Sequence, residues 1–220
     1  MKPAHTTAVL LILAFVPALL LASSQPIHAE DLAARANIFM YPKPMQVSGF
    51  VLKNLSGQPV SLSDYRGRVV LLHFWSINCP ACKAEEPALL ELKRKFGPAG
   101  LEILGVNLVD SVPEVAQFAT AAKTPFPLLV GGGDFSLRVV EMGGKRTAFV
   151  LNQAQEAIFE VPGFPTTYIV NCGGSAVGYS VGAARWTDAA ASAMIQRLVT
   201  DTQMCTPRQA MAGPRAFPRQ

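Results

Sequence analysis

Apolar residues along this chain fall into continuous runs and helical stripes, and the two patterns predict different elements. The strongest run is 68–76, where Val69, Val70, Leu71, Leu72, Phe74 and Trp75 leave few polar positions. A run that is apolar at nearly every position is expected of a central strand covered on both faces. Past Arg68, His73 is its only ionisable residue. Runs at 101–108 and 126–130 predict neighbouring strands. Between them the period changes. Leu89, Leu92 and Phe96 recur at helical spacing, with Lys93, Arg94 and Lys95 around the outside. Pro80 suits the first turn of that helix, and Gly97-Pro98-Ala99-Gly100 ends it. Pro87 lies inside and is expected to kink it. A shorter helix is predicted over 112–122. Strands alternating with helices argue for an α/β fold with parallel pairing.

The flanks are less regular. Residues 50–52 and 60–62 surround Asn54-Leu55-Ser56-Gly57-Gln58-Pro59, the pattern of a β-hairpin. Beyond 130, Gly131-Gly132-Gly133 opens a stretch where 134–142 and 153–159 read as helical and 146–151 as a strand. Residues 166–170 and 176–181 read as strands joined by the turn Asn171-Cys172-Gly173-Gly174. Thr187 is the predicted N-cap of a final helix running to about 202, with Ala190, Met194 and Leu198 four apart. Residues 30–47 hold Pro42 and Pro44, show no period and read as a linker. That places the folded domain at 48–204. Residues 205–220, equally aperiodic, read as a disordered tail.

Residues 1–29 have the layout of an export signal: Lys2, then an apolar stretch, then a small polar segment. The apolar core, 8–22, is 15 residues long and contains Pro17, whereas a spanning helix needs about 20. The segment is either cleaved or retained as an N-terminal anchor. Export bears on the chemistry, because disulfides persist in oxidising compartments. All four cysteines, Cys79, Cys82, Cys172 and Cys205, lie beyond the signal. The formal charge is +4, and losing Lys2 with the signal leaves +3. Basic residues do not cluster with aromatic ones, so nucleic acid is not an expected partner.

Cys79-Pro80-Ala81-Cys82 stands where the central strand passes into the first helix. Two cysteines at this spacing and junction form a candidate redox dithiol. The thiolate is the nucleophile in disulfide exchange. Cys79, at the N-cap, faces unpaired N–H groups and the positive end of the helix dipole, which favour an anion. It is therefore the expected exposed attacker, with Cys82 a shielded resolving thiol. A zinc half-site would need a second Cys/His pair, and Cys172 and Cys205 stand apart. A structural staple is the third reading, a poor one because the loop it closes is short.

The stretch from Val69 through Trp75-Ser76-Ile77-Asn78-Cys79-Pro80-Ala81-Cys82-Lys83-Ala84-Glu85-Glu86-Pro87 resembles the active-site segment of the thioredoxin superfamily. More narrowly it is similar to the TlpA/ResA-type periplasmic thiol–disulfide oxidoreductases, in which an acid and a proline commonly follow the second cysteine as Glu85 and Pro87 do. The hairpin sequence ending Asp64-Tyr65-Arg66-Gly67 and the loop Val161-Pro162-Gly163-Phe164-Pro165-Thr166 also match. The resemblance covers roughly 50–199. It implies a thioredoxin-like α/β/α sandwich with an N-terminal hairpin, and an insertion at 131–151 before a cis-proline loop. It further implies catalytic roles for Cys79, Cys82, Pro165 and Glu85, with Trp75, Phe164 and Pro80 contacting substrate. No cofactor and no metal are implied. The implied partners are proteins with cysteine thiols or disulfides, apocytochromes among them, and a membrane donor of thiol electrons. An oxidase, an isomerase, or a metallochaperone or binding module without turnover are the alternative readings. Asn78 departs from the aromatic residue common before the first cysteine, and His73 replaces the buried acid of thioredoxins proper. Cys172 and Cys205, left over in an exported chain, are either a structural disulfide or two thiols.

Overall fold

The run at 69–74 becomes β4 (Val69–Phe74), with every residue buried. The structure, a computed structural model, describes residues 29–47, 51–131, 136–142, 145–151 and 157–201. Residues 1–28, nearly all of the expected export signal, and residues 202–220, with Cys205, lie outside the described residues. Beside β4 runs β5 (Leu101–Asn107), buried throughout, and then β6 (Leu128–Val130). These pair in parallel, with Leu71 opposite Ile103 and Val106 opposite Leu129. Helices α2 (Pro80–Phe96) and α3 (Val112–Ala122) make the crossovers, since parallel neighbours cannot be joined by a tight turn. On the other side of β4, β10 (Thr166–Val170) and β11 (Ser175–Val181) form an antiparallel hairpin. The expected N-terminal hairpin is β2 (Val51–Asn54) and β3 (Pro59–Ser61), which extends the β6 edge.

The linker reading of 30–47 fails. The segment holds α1 (Ala29–Arg35) and β1 (Phe39–Gln46), and β1 pairs antiparallel with β11 as the last strand of the sheet. Prolines are tolerated on an edge strand because one row of N–H groups needs no partner. The pairing shifts register between Met40 and Met45, around Pro42 and Pro44. Ala33, Ala36 and Ile38 are buried in the core, so the folded unit begins well before residue 48. The main sheet thus has the order β1-β11-β10-β4-β5-β6-β2-β3.

The insertion is also corrected in kind. Residues expected to be helical form β7 (Ser136–Met142) and β9 (Ala157–Val161), on either side of the expected strand, β8 (Lys145–Leu151). Together they make a separate antiparallel sheet, β7-β8-β9. Val139-Val140 and Ile158-Phe159 are strand-favouring residues, and cross-strand pairing decides a short segment whose period is ambiguous. The final helix, α4 (Ala189–Thr200), starts one residue later than predicted, with Asp188 at the N-cap. Its buried stripe is Ala191, Met194, Ile195 and Leu198, with Ala190 only half-buried.

Two apolar clusters sandwich the sheet. Val69, Leu71, Ile103 and Ile169 face the helices, meeting residues from α1, α2, α3 and α4. On the opposite face, Leu72, Phe74, Leu104, Val106 and Tyr168 pack against Val150, Phe159 and Val161 of the small sheet. The insertion therefore supplies part of the second outer layer.

Candidate active site

The site is built at the carboxyl end of β4, the customary place for chemistry in a parallel sheet. The chain leaves Phe74 through Trp75-Ser76-Ile77-Asn78 and re-enters regular structure at Pro80. Cys79 is the N-cap of α2, in extended backbone, and its Sγ accepts the Cys82 N–H at 3.0 Å. Cys79 and Cys82 are joined as a disulfide, their Cα atoms 5.2 Å apart. Reduction would leave a sulfur at the helix N-terminus, where a thiolate is favoured. One expectation is modified. In the oxidised protein Cys79 is only 9% exposed, against 4% for Cys82. Both cysteines are buried, while Asn78, Pro80 and Ala81 around them are exposed.

The structure brings Pro165 to the same end of the sheet. β10 runs antiparallel to β4, with Thr166 opposite Phe74 and Thr167 opposite His73. Pro165 therefore stands just beyond the end of β4, where the chain turns towards Cys79. Phe164–Pro165 is a cis peptide, and Pro165 is buried while Phe164 is half-buried. The Pro165 carbonyl accepts the Gly182 N–H at 2.8 Å, tying the loop to the end of β11. Trp75 does not stand open as a substrate wall. It is 5% exposed and stacks obliquely on Phe118, with ring centroids 4.8 Å apart.

Glu85 sits one turn beyond Cys82, on the buried side of α2. Only 3% is exposed. Its Oε1 accepts the Ala184 N–H at 3.1 Å and the Trp186 indole N–H, while Oε2 has no partner among the described residues. Burial pushes its pKa up to about 7, against the two hydrogen bonds that favour the carboxylate. His73 is buried beneath the dithiol and shares a 2.9 Å hydrogen bond between Nδ1 and Thr167 Oγ1. Burial lowers its pKa to about 4, so it is neutral at pH 7. A small pocket opens beside it, lined by Trp75, Cys82, Glu86, Phe118 and Thr124. Opposite His73 in register is Gly105, where a Cβ would meet Leu128 Cδ2 at 2.6 Å and crowd the Trp75 indole.

Several residues here were not singled out from sequence. Trp186 and Ala184 partner Glu85 from about a hundred positions away. Asp110 and Asn107 hold the turn before Cys79 from the end of β5. Their location at the carboxyl end of a predicted parallel strand was the available signal. Cys172 is buried and disulfide-bonded rather than a free thiol. Cys205, considered with it as a structural disulfide or two thiols, lies outside the described residues. Among the described residues, no group of three His, Cys, Asp or Glu side chains could hold a metal, and no helix is long and apolar enough to cross a membrane.

The pattern of the AhpC/TSA family matches residues 45–158, more than half of the chain and the stretch that carries the dithiol. The chain belongs to the AhpC/TSA family. Within it, the chain is 36% identical over 107 residues to the thiol-disulfide oxidoreductase ResA of Geobacillus kaustophilus, covering 49% of this chain and 62% of that protein. The ResA of Bacillus subtilis is 29% identical over 122 residues, 56% of this chain and 68% of that one. The match thus spans about three fifths of the first of these relatives. Among solved structures, a putative thiol:disulfide interchange protein DsbE from Chlorobium tepidum has a TM-score of 0.54 at 20% identity, covering 71% of this chain and 97% of that one. A DsbF homologue from Corynebacterium diphtheriae has a TM-score of 0.54 at 19% identity, covering 76% and 92%. At this identity the two structures show the fold, which is thioredoxin-like. The thioredoxin-superfamily resemblance read from sequence agrees with both comparisons.

Proposed function

We propose that this AhpC/TSA-family chain is a thiol–disulfide oxidoreductase of the ResA type, acting in the periplasm as a reductase of exported proteins. The observation that carries this reading is the Cys79–Cys82 pair closed into a disulfide across the first turn of α2, beside the Pro165 loop. The Cys79 thiolate attacks one sulfur of a client disulfide. That S–S bond breaks, a mixed disulfide forms, and the departing client sulfur takes a proton. Cys82 then loses its proton and attacks Cys79 Sγ. The mixed disulfide breaks, the second client thiol leaves, and Cys79–Cys82 closes. Two electrons have passed to the client, and an external dithiol, expected to be a membrane donor, restores the reduced pair. Glu85, a buried carboxyl poised near neutrality one turn from Cys82, is the group proposed to take the Cys82 proton. The Phe164 backbone offers an extended segment against which a client strand can lie.

The test is a trap. Cys82→Ala in the native host should accumulate mixed disulfides through Cys79, and non-reducing electrophoresis with mass spectrometry would identify the clients. Apocytochromes, implied by the family resemblance, are the first to look for. Cys79→Ser should abolish reduction of a disulfide substrate. A Cys82→Ala protein that traps nothing, together with a Cys79→Ser protein as active as wild type, would overturn the assignment.

A further inference from the structure

The turn that delivers Cys79 to the helix has few backbone ties of its own. Ser76, Ile77 and Asn78 lie outside regular structure, and the Cys79 N–H reaches the Ser76 carbonyl at 3.3 Å. Its firmest anchor comes from another element. Asp110 Oδ2 accepts the Ile77 N–H at 2.7 Å. The same oxygen accepts the Asn107 side-chain amide at 2.7 Å. Asn107, fully buried at the last position of β5, turns its Oδ1 back to the N–H groups of Val109 and Asp110 at 3.1 and 2.9 Å. Its own carbonyl accepts the Gly131 N–H at 3.1 Å, after β6. The assembly is a clip. A buried amide fixed by the sheet orients Asp110, and one oxygen of Asp110 fixes the main chain two residues before Cys79.

We propose that Asp110, oriented by Asn107, is a positioning residue for Cys79. It acts by holding the peptide N–H of Ile77, and not by its charge. This rests on the reading of Cys79 as the attacking thiol. The physical reason is the sensitivity of helix-end stabilisation to place: it fades within the first turn. If the 76–78 turn moves, Cys79 leaves the N-cap and its sulfur loses the N–H groups that favour the thiolate. A charge at Asp110 would act in the opposite sense, because a nearby anion disfavours a thiolate.

Both donors converge on a single oxygen of Asp110. An asparagine can place its amide oxygen there and keep both hydrogen bonds without the charge. A glutamate keeps the charge but its arm is one methylene too long. The two substitutions therefore separate position from electrostatics. The other charged groups close in sequence to the dithiol, Lys83, Glu85 and Glu86 on α2, are untouched by either. The experiment is the alkylation rate of Cys79 in the reduced protein across pH 5–9, with the modified cysteine identified by mass spectrometry and folding checked by thermal melts. Asp110→Asn should follow the wild-type profile within about twofold. Asp110→Glu and Asp110→Ala should react ~5- to 10-fold more slowly at pH 7, the effect of losing a well-made hydrogen bond, with their profiles displaced to higher pH. Asp110→Glu reacting as wild type overturns the proposal, as does Asp110→Asn departing from wild type as far as Asp110→Glu does. Alkylation needs no client and no turnover. If Cys82 were the residue modified first, the attacker assignment would fail, a result separate from failure of the clip.

Discussion

At the scale of single residues, Glu85 shows how far a site can depend on groups remote in sequence. Its burial alone would drive the pKa up, and the indole of Trp186 and the Ala184 N–H pull the other way. Removing one donor should tip that balance. Trp186→Phe keeps an aromatic ring but deletes the N–H, so the Glu85 midpoint should move further above about 7. Carboxyl carbon-13 NMR of labelled protein reads this directly, and an unchanged or lower midpoint would show that the indole does not favour the carboxylate. Trp186 is wholly buried, so a melt should accompany the measurement. Cys79, Cys82 and Pro165 could be picked out in advance because each rests on a short local motif. The Glu85 partners could not, because only the fold brings the chain after β11 against α2. Asp110 was illegible for the same reason: it is 33 positions from the N–H it holds.

At the scale of elements, local pattern was sufficient where burial on both faces or a clear helical stripe dictated one answer. It was insufficient in the insertion. The segments that became β7 and β9 are too short for their helix-like spacing to decide between helix and strand, and pairing with β8 decided them. Edge strand β1 was hidden by its prolines, which an edge tolerates. The small β7-β8-β9 sheet is no loose appendage. Phe159 of β9 is fully buried, with its ring centroid 5.4 Å from that of Phe74 and 4.8 Å from that of Tyr168. Phe159→Ala should therefore cost the whole domain about 3–5 kcal/mol, measured by urea unfolding with one transition. A loss under ~1 kcal/mol, or a separate early transition, would mean that the small sheet folds independently of the main core. Phe74 is the residue before the turn to Cys79, so the same substitution also tests whether the small sheet braces the site from behind.

At the scale of the molecule, two buried groups set opposite pH dependences. Glu85 has its folded pKa raised from 4.5 to about 7. As pH rises through that window the unfolded chain gives up the proton while the folded protein keeps it, so this group makes stability fall between about 4.5 and 7. His73 has its folded pKa lowered from 6.5 to about 4. Between those values the unfolded chain binds a proton that the folded protein refuses, so this group makes stability rise from about pH 4 to 6.5. Each shift corresponds to roughly 3 kcal/mol over its full window. The windows overlap almost completely, and the two contributions nearly cancel from pH 4.5 to 6.5. Single substitutions should unmask them with opposite sign. Relative to wild type, Glu85→Gln should gain stability steadily as pH rises from 4.5 to 7. His73→Asn, which leaves Thr167 a polar neighbour, should gain as pH falls from 6.5 to 4. Urea unfolding of the oxidised proteins at half-unit pH steps gives both difference curves. Two flat curves would mean that these groups do not titrate differently in the folded and unfolded states, and two curves of the same sign that one of the shifts runs the other way. Crossing curves would show that a buried imidazole that stays neutral and a buried carboxyl that stays protonated close to neutrality offset each other's pH dependence within one fold.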